Sequence, residues 1–200
     1  MSHPDLSRIR TFFGPRAADW ESYVAKDAPQ IERAVNEAKL RAGMTVLELG
    51  CGTAPAAPHL RAAVGTDGCV IALDVTPEMI AEARRVGRGN AAELVVTDVH
   101  VLPIASGTVD ALHAGGIVPH LADPEQALRE WARVACPGAR LSVFHAIGRV
   151  TLAAIHRRAP SDDDVIAPDR LRRLLERTGW RVVSIDDAPE RYLALARRTD

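Results

Sequence analysis

One apolar run in this 200-residue chain contains an acidic residue and turns directly into glycines. The run 46–49 includes Glu48, and Gly50 and Gly52 follow it at once. Glycine is needed where a chain turns tightly or where a ligand must approach the backbone without a Cβ between them. The free N–H groups at the start of a following helix can then bind an anionic group. These residue types in this order predict a binding site for a nucleoside cofactor.

A second acidic residue supports the same prediction. Asp74 ends the apolar run 70–73 and lies about twenty residues after Gly52, close to the spacing at which a carboxylate reaches the ribose hydroxyls of a bound nucleoside. The glycine turn and a later acidic residue at the expected spacing are together stronger evidence than either is alone.

Alternating apolar and helical patterns surround these residues from 45 to 180. Such alternation indicates β-α-β units and a parallel sheet covered by helices on both faces. The predicted strands are 45–49, 70–73, 94–97, 109–113, 140–144, 182–185 and 192–196. The last two are separated by about six residues, too few for a helical crossover, so they should pair antiparallel. The predicted fold class is therefore α/β, with a doubly wound and mostly parallel sheet of seven strands and one antiparallel strand near the C-terminus.

Helix boundaries are marked by proline and by candidate capping residues. Thr76 and Asp123 each precede a proline and a glutamate, so their side chains are predicted to cap helices that begin at the proline. Residues 169–178 place leucines on one face and end before Gly179, a residue typical of helix C-termini. A further helix is predicted at 30–38.

Composition limits the classes of partner and compartment. A net charge of −1 and an aromatic content of 4% argue against nucleic acid as the main partner. Three cysteines without a Cys-x-x-Cys spacing predict neither a disulfide framework nor a zinc ribbon, and the histidines are scattered, so no metal site is expected. Residues 1–10 lack the apolar run of a signal peptide, and no run is long enough to span a bilayer. We expect a cytoplasmic protein without a membrane partner.

Several short segments follow one another in a specific order. They are VLELGCGT at 46–53, LDVTPEM at 73–79, TDV at 97–99, LP at 102–103, VD at 109–110, HLADP at 120–124, RVACPG at 133–138 and LLERTGW at 174–180. In this order and spacing, across about 42–179, they resemble the class I S-adenosylmethionine-dependent methyltransferases, in particular the small bacterial type that acts on small molecules. The resemblance implies a Rossmann-like sheet with the cofactor across the carboxyl ends of its first strands, as the switch-point rule also expects.

The resemblance also implies S-adenosylmethionine as cofactor and S-adenosylhomocysteine as product. Asp74 would accept both ribose hydroxyls, and Asp98 with the Val99 backbone would hold the adenine amino group and ring nitrogen. Glu48 would order the glycine turn, which lines the methionine part. The full set of predicted cofactor contacts is Tyr23, Glu48, Gly50, Cys51, Gly52, Asp74, Val75, Met79, Asp98, Val99 and Gly115.

Methyl transfer from a sulfonium mainly requires alignment of donor and acceptor, with removal of one proton at most. Histidines are the candidate bases because their pKa lies near neutrality. His120 and His145 follow the fourth and fifth predicted strands, at the edge where ligands bind, and are the candidate catalytic residues. Alternatively, His120 is a loop or capping residue and His145 a solvated strand end. His113, inside a strand, is expected to be a hydrogen-bonded core residue.

Two other functions stay open at this point. A nicotinamide-dependent oxidoreductase shares the glycine turn and later acid, but Pro55 stands where a dinucleotide site has its third small residue, and Glu48 and Asp98 should add negative charge that suits two phosphates poorly. A non-catalytic binding protein would explain two departures from the family pattern. Ala54 stands in place of a third turn glycine, and Gly115 and Gly116 leave the wall next to the cofactor's methionine end without side chains. The methyl group of Ala54 is expected either to narrow the methionine pocket or to strain the backbone.

The chain is predicted to consist of an N-terminal helical lid segment, 1–43, and a methyltransferase domain, 44–200. Tyr23 in the first segment would close over the cofactor, although aromatic residues at helical spacing also anchor helices to a core. Residues 146–167 fall where the family inserts substrate-recognition elements. We expect a small-molecule substrate and a monomer or homodimer.

Overall fold

The computed structural model describes residues 6–155 and 157–200, so residues 1–5 of the predicted lid segment and His156 lie outside the described part. One sheet of seven strands forms its centre, in the order β3-β2-β1-β4-β5-β7-β6. The strands are β1 Thr45–Leu49, β2 Cys69–Asp74, β3 Glu93–Val96, β4 Val109–Gly115, β5 Ala135–His145, β6 Trp180–Ala188 and β7 Arg191–Arg198.

Strand directions confirm the predicted fold class. The neighbours from β3 across to β5 are parallel, whereas β7 runs antiparallel to both β5 and β6. The last strand of the chain therefore inserts between β5 and β6 and does not lie at the edge. Because the β6–β7 ladder continues to the pair Ala188 and Arg191, the connecting turn at 189–190 is shorter than the predicted one.

Helices cover both faces of the sheet. They are α1 Ser7–Phe13, α2 Trp20–Val24, α3 Ala28–Glu37, α4 Ala57–Val64, α5 Pro77–Arg85, α6 Pro124–Val134, α7 Arg149–Ile155 and α8 Pro168–Arg177. Buried side chains of α3, α4 and α5 form one apolar cluster with the sheet, and those of α6 and α8 form another on the opposite face. Alternation along β1 serves both clusters, since Val46 joins the first and Leu47 the second. The central strand β1 is thus buried on both faces, whereas the edge strand β3 leaves Val95 and Val96 exposed.

The two helices predicted from proline begin where expected, but only one has the predicted cap. The side chain of Asp123 accepts the N–H of Gln126 at 2.9 Å and caps α6. The prediction for Thr76 was wrong, because its side chain makes no capping bond to α5. Asp74 acts on the capping residue instead, with Oδ1 accepting the Thr76 N–H at 2.8 Å. The strand-end carboxylate therefore also orders the start of α5.

The predicted lid segment divides into two parts. In α3, Ile31, Ala34 and Val35 are buried with the sheet, so this helix belongs to the core. Polar contacts join the part before α3 to the residue after β2 and to the turn between α5 and β3. Arg10 donates to the carbonyl of Val75 at 3.0 Å, and Arg88 pairs with Glu21 at 3.0 Å. That a lid opens and closes here stays a prediction.

Within 6–155 and 157–200, the helices are all too short or too polar to cross a bilayer.

Candidate functional site

A cavity of about 400 Å³ lies at the carboxyl ends of β1, β2 and β4, between the sheet and the N-terminal segment. This volume is within the range of small-molecule sites. Every site residue predicted from the sequence lines it: Tyr23, Glu48, Gly50, Cys51, Gly52, Asp74, Val75, Met79, Asp98, Val99, Gly115, His120 and His145. The fold therefore brings the whole set together, and the contact assigned to each residue stays a prediction.

The glycine turn is closed from above by two apolar side chains. Gly50 and Gly52 have φ angles of 61° and 55°, in the left-handed region. A Cβ at Gly50 would overlap the side chain of Ile117, and one at Gly52 would lie 3.3 Å from Nε1 of Trp20. Both positions thus need glycine for conformation and for space. Neither Ile117 nor Trp20 is among the site residues predicted from the sequence.

Ala54 adopts the left-handed conformation that its position in the turn predicts. Its φ is 55°, which costs an L-residue roughly 1–2 kcal/mol. Its side chain is fully buried in the apolar cluster beneath α3 and α4 and is not part of the cavity lining. Of the two expected alternatives, backbone strain is confirmed, and narrowing of the methionine pocket stays a prediction.

Glu48 is buried, and its burial favours the neutral form of the carboxyl group. Its residue is 3% exposed, and Oε1 accepts the N–H of Ala56 at 3.3 Å, which ties β1 to the residue before α4. Oε2 is buried without a hydrogen-bond partner in the described part of the chain. Burial raises the pKa of Glu48 to about 8. Desolvation therefore opposes the negative charge that was expected of Glu48 at this site.

Asp74 joins the glycine turn to α5. Oδ2 accepts the N–H of Gly52 at 2.9 Å, while Oδ1 accepts that of Thr76. Burial raises the pKa of Asp74, and these hydrogen bonds oppose the rise. A carboxylate has about four acceptor positions, so each oxygen keeps capacity for one more donor. That capacity suits two neighbouring hydroxyl groups.

Asp98 and Val99 form the next part of the wall. Oδ1 of Asp98 lies 2.6 Å from Nδ1 of His100 and also accepts the backbone N–H of His100 at 2.9 Å. The carbonyl of Val99 accepts Nε1–H of Trp131 at 3.0 Å. A ligand contact from the Val99 backbone would therefore use its N–H group.

The two candidate catalytic histidines lie at the β4 and β5 side of the cavity. His120 is exposed and ends a short 3₁₀ turn, with its ring edge-to-face to Phe13 at 5.3 Å between centroids. His145 ends β5, and its Nδ1 accepts the N–H of Ile147 at 3.5 Å. Asp123 caps α6 with its own side chain, so His120 is not needed as a cap.

His113 is the hydrogen-bonded core residue that its place in a strand predicts, and it also lines the cavity. Nδ1 lies 2.9 Å from Oγ of Ser142, whose hydroxyl donates to the carbonyl of Leu112. Burial lowers the pKa of His113 to about 4, so the ring is neutral near pH 7. A Cβ at Gly115 would lie 3.4 Å from Nε2, so a side chain at 115 would be in contact with this nitrogen. The sequence does contain a signal for this contact, because residues 113 and 115 are two apart in one strand and therefore lie on the same face of the sheet.

The segment 146–167 contributes little to the wall. Among its described residues, Ala146 alone lines the cavity. Arg149 pairs with Asp187 at 3.2 Å and with Asp164 at 3.6 Å, which holds this segment to β6. A substrate-recognition role for the segment stays a prediction. In residues 6–155 and 157–200, no group of three or more histidine, cysteine or carboxylate side chains is arranged to hold a metal.

The fold and the cavity define an α/β protein with a cavity of small-molecule size at the carboxyl edge of its sheet. Residues 47–143 match the family model of a methyltransferase domain. The chain is 33% identical over 138 residues to an arsenite methyltransferase of Halobacterium salinarum, covering 67% of this chain and 33% of that protein. It is 30% identical over 114 residues to a ubiquinone/menaquinone biosynthesis C-methyltransferase of Hahella chejuensis, covering 55% and 46%.

A solved structure agrees over almost the full length. The S-adenosylmethionine-dependent methyltransferase of Aquifex aeolicus superposes with a TM-score of 0.72 at 25% identity, covering 98% of this chain and 99% of that one. The chain belongs to the class I S-adenosylmethionine-dependent methyltransferases. It spans less than half the length of the two curated relatives above.

The cofactor of this family, S-adenosylmethionine, fits the residues that are present. The glycine turn gives a backbone surface with no room for a Cβ. Asp74 keeps acceptor capacity for the ribose hydroxyls. The unpartnered Oε2 of Glu48 offers a buried acceptor for a cationic group, which would favour the ionised carboxyl.

Proposed function

We propose that this protein transfers the methyl group of S-adenosylmethionine to a small-molecule acceptor. The observation that carries the proposal is the gathering of Glu48, the glycine turn, Asp74 and Asp98 on one side of a single cavity, with His120 and His145 on the other. When bound, the cofactor supplies an electrophilic methyl group on a sulfonium. The protein then has to hold the acceptor in line with that methyl group and exclude water.

The acceptor is proposed to occupy the side of the cavity formed by β4, β5 and the loop after β4. Apolar side chains there are Ile117, Leu121 and Phe144, and the imidazoles of His113, His120 and His145 supply the polar atoms. This lining suits a mainly apolar molecule with one ionisable group. The two curated relatives support a small acceptor, since their names specify arsenite and quinone-pathway methylation.

His120 and His145 are the proposed proton acceptors for an acceptor group that loses a proton. An imidazole with a pKa near the working pH is an efficient base, whereas His113, with a pKa of about 4, is a poor one. We propose that His113 contributes a hydrogen-bond acceptor through Nε2 instead. Which atom of the acceptor is methylated follows from which of these nitrogens it contacts.

A cytoplasmic location is part of the proposal. The three cysteines are free, as expected in a reducing compartment, and the net charge of −1 gives no support for nucleic acid as the acceptor.

Calorimetric titration tests the cofactor first. S-Adenosylhomocysteine and S-adenosylmethionine should bind, and a reduced nicotinamide dinucleotide should not. The absence of binding by either sulfur nucleoside at millimolar concentration would refute the proposal, and tight binding of the dinucleotide would favour an oxidoreductase.

Turnover is then tested with radiolabelled methyl donor and fractionated small-molecule extracts. Labelled small-molecule product should form with the wild-type protein and not with a His120→Ala, His145→Ala double variant that still binds S-adenosylhomocysteine. Cofactor binding without product in any fraction would instead support a non-catalytic binding protein.

A further inference from the structure

A buried histidine adjoins the proposed adenine subsite and has no part in the mechanism above. His100 is 3% exposed and lines the cavity. Its backbone N–H donates to Oδ1 of Asp98 at 2.9 Å, and its ring Nδ1 lies 2.6 Å from the same oxygen. One residue thus holds one oxygen of the carboxylate from two directions.

The second ring nitrogen determines where the proton of the imidazole lies. Nε2 of His100 accepts the backbone N–H of Asp123 at 3.4 Å. A nitrogen that accepts an N–H must present its lone pair, so the proton of the neutral ring is on Nδ1. His100 is therefore the donor in its short hydrogen bond to Asp98, and the charge on the acceptor strengthens that bond.

The backbone around His100 is held in place by other residues. Nε1–H of Trp131 donates to the carbonyl of Val99, and the N–H of Leu102 donates to Oε1 of Glu130 at 2.6 Å. Both partners are on α6, which packs in the core. These bonds hold the backbone of the loop 98–102 without the imidazole. The ring of His100 adds two contacts, from Nδ1 to the Asp98 side chain and from Nε2 to the N–H of Asp123.

We propose that His100 is a positioning residue for the adenine subsite. Its Nδ1–H holds the carboxylate of Asp98 in one rotamer, in which that carboxylate accepts the exocyclic amino group of adenine. A ligand that meets a pre-oriented acceptor does not have to order it on binding. This inference rests on the proposed function, because it requires Asp98 to contact the base of S-adenosylmethionine.

The test compares two ligands that differ only at the amino group of the base. The 6-deamino analogue of S-adenosylhomocysteine, whose base is unsubstituted purine, has a hydrogen atom where S-adenosylhomocysteine has the amino group and keeps the ring nitrogens as acceptors. The wild-type protein should bind the adenine form about tenfold more tightly or better, since a charged acceptor gains a hydrogen bond from the amino group and none from the ring C–H. Calorimetry measures both affinities and gives their ratio.

Two substitutions separate the donor from the volume of the ring. His100→Leu removes Nδ1–H, so the preference for adenine should fall to about threefold or less. His100→Asn keeps an N–H donor close to the position of Nδ1 and should retain the wild-type ratio. A loss of packing alone would weaken both ligands equally and leave the ratio unchanged.

The outcomes distinguish the inference from the function on which it rests. If the wild-type protein does not bind S-adenosylhomocysteine, the proposed function fails. If it binds, the inference is overturned by a wild-type ratio near one, by an unchanged ratio in the leucine variant, or by equal loss in both variants. Should the leucine variant not fold, ¹⁵N-histidine NMR of the wild-type protein decides: Nδ1 protonated and shifted by ligand supports the inference, and the opposite tautomer overturns it.

Discussion

Asp74 accepts the backbone N–H of Gly52 at 2.9 Å, so the carboxylate at the end of β2 shapes the glycine turn that follows β1. The same side chain orders the start of α5 through Thr76. The residue proposed to bind the ribose is thus also a structural link among three segments of the cavity wall. Loss of this carboxylate is therefore expected to affect folding as well as binding.

The substitution Asp74→Asn, compared with a control outside the cavity, separates the effect on folding from the effect on binding. One oxygen becomes an NH₂ group, which cannot accept a backbone N–H or a ribose hydroxyl proton. We expect the affinity for S-adenosylhomocysteine to fall about 10- to 100-fold, since a hydrogen bond to a charged group is worth roughly 1.5–3 kcal/mol. Calorimetry measures the affinity, and urea denaturation measures the free energy of unfolding.

A matched control for that substitution is Asp110→Asn. Oδ2 of Asp110 also accepts a backbone N–H, that of Thr45 at 2.8 Å, but Asp110 is not part of the cavity lining. Both variants should lose about 1–3 kcal/mol of stability, and only the first should lose cofactor affinity. Equal affinities in the two variants would contradict the assignment of Asp74 to the ribose.

The close approach of Trp20 to the glycine turn gives a second prediction. In Gly52→Ala, the new alanine would have to adopt a φ of 55°, and its Cβ would lie 3.3 Å from Nε1 of Trp20. The strain should cost roughly 1–2 kcal/mol of stability, and displacement of Trp20 should weaken S-adenosylhomocysteine binding. Gly107→Ala is the control, because its φ of 68° carries the same strain with open space around it. Intact cofactor binding by the Gly52 variant would show that this turn does not contact the ligand.

Ala54 provides a third prediction, in which opposing effects nearly cancel. Ala54→Gly relieves roughly 1–2 kcal/mol of left-handed strain, but the unfolded chain gains about 0.4–1 kcal/mol of entropy and about 0.8 kcal/mol of buried methyl group is lost. The free energy of unfolding should therefore change by less than about 1 kcal/mol. Cofactor affinity should not change, because the methyl group is outside the cavity. A large gain in affinity on calorimetry would mean that the methyl group does obstruct the methionine subsite.

The fold was predictable where local sequence and tertiary structure agree. The run 45–49 was predicted with the observed bounds of β1, because it is apolar on both faces and ends at the glycine turn. β5 begins at Ala135, earlier than the predicted 140, because strand pairing with Val109 precedes a register shift and leaves Pro137 and Gly138 within the strand. Backbone pairing through such residues has no signature in side-chain pattern.

Part of the site was predictable from the sequence, because its residues lie at strand ends. The part formed by other segments that pack over the turn was not. Glu48, Asp74 and the glycines lie at strand ends, where the topology brings them together whatever the N-terminal segment does. Trp20 and Ile117 approach the turn only because separate segments fold over it, and neither approach can be read from spacing. The raised pKa of Glu48 depends on its burial, so it could not be inferred from the residue type alone.

Glu48 is expected to make stability depend on pH. A carboxyl whose pKa rises from 4.5 to about 8 on folding binds a proton more tightly in the native state. Stability therefore falls as pH rises between those values, by about 1.4 kcal/mol per pH unit. Glu48→Gln keeps the shape and removes the titration, so the variant should gain about 2–3 kcal/mol on the wild-type protein between pH 5.5 and 7.5.

Urea denaturation at several pH values measures this difference. His113, with its pKa lowered to about 4, has the opposite dependence below pH 6.5, but it is present in both proteins and cancels in the comparison. Glu190→Gln, in the exposed turn between β6 and β7, controls for the loss of one carboxyl group. Parallel stability curves for the wild-type protein and Glu48→Gln would mean that Glu48 is ionised in the native state. A cationic ligand at Oε2 should in turn release the Glu48 proton, which calorimetry in buffers of different ionisation enthalpy would detect.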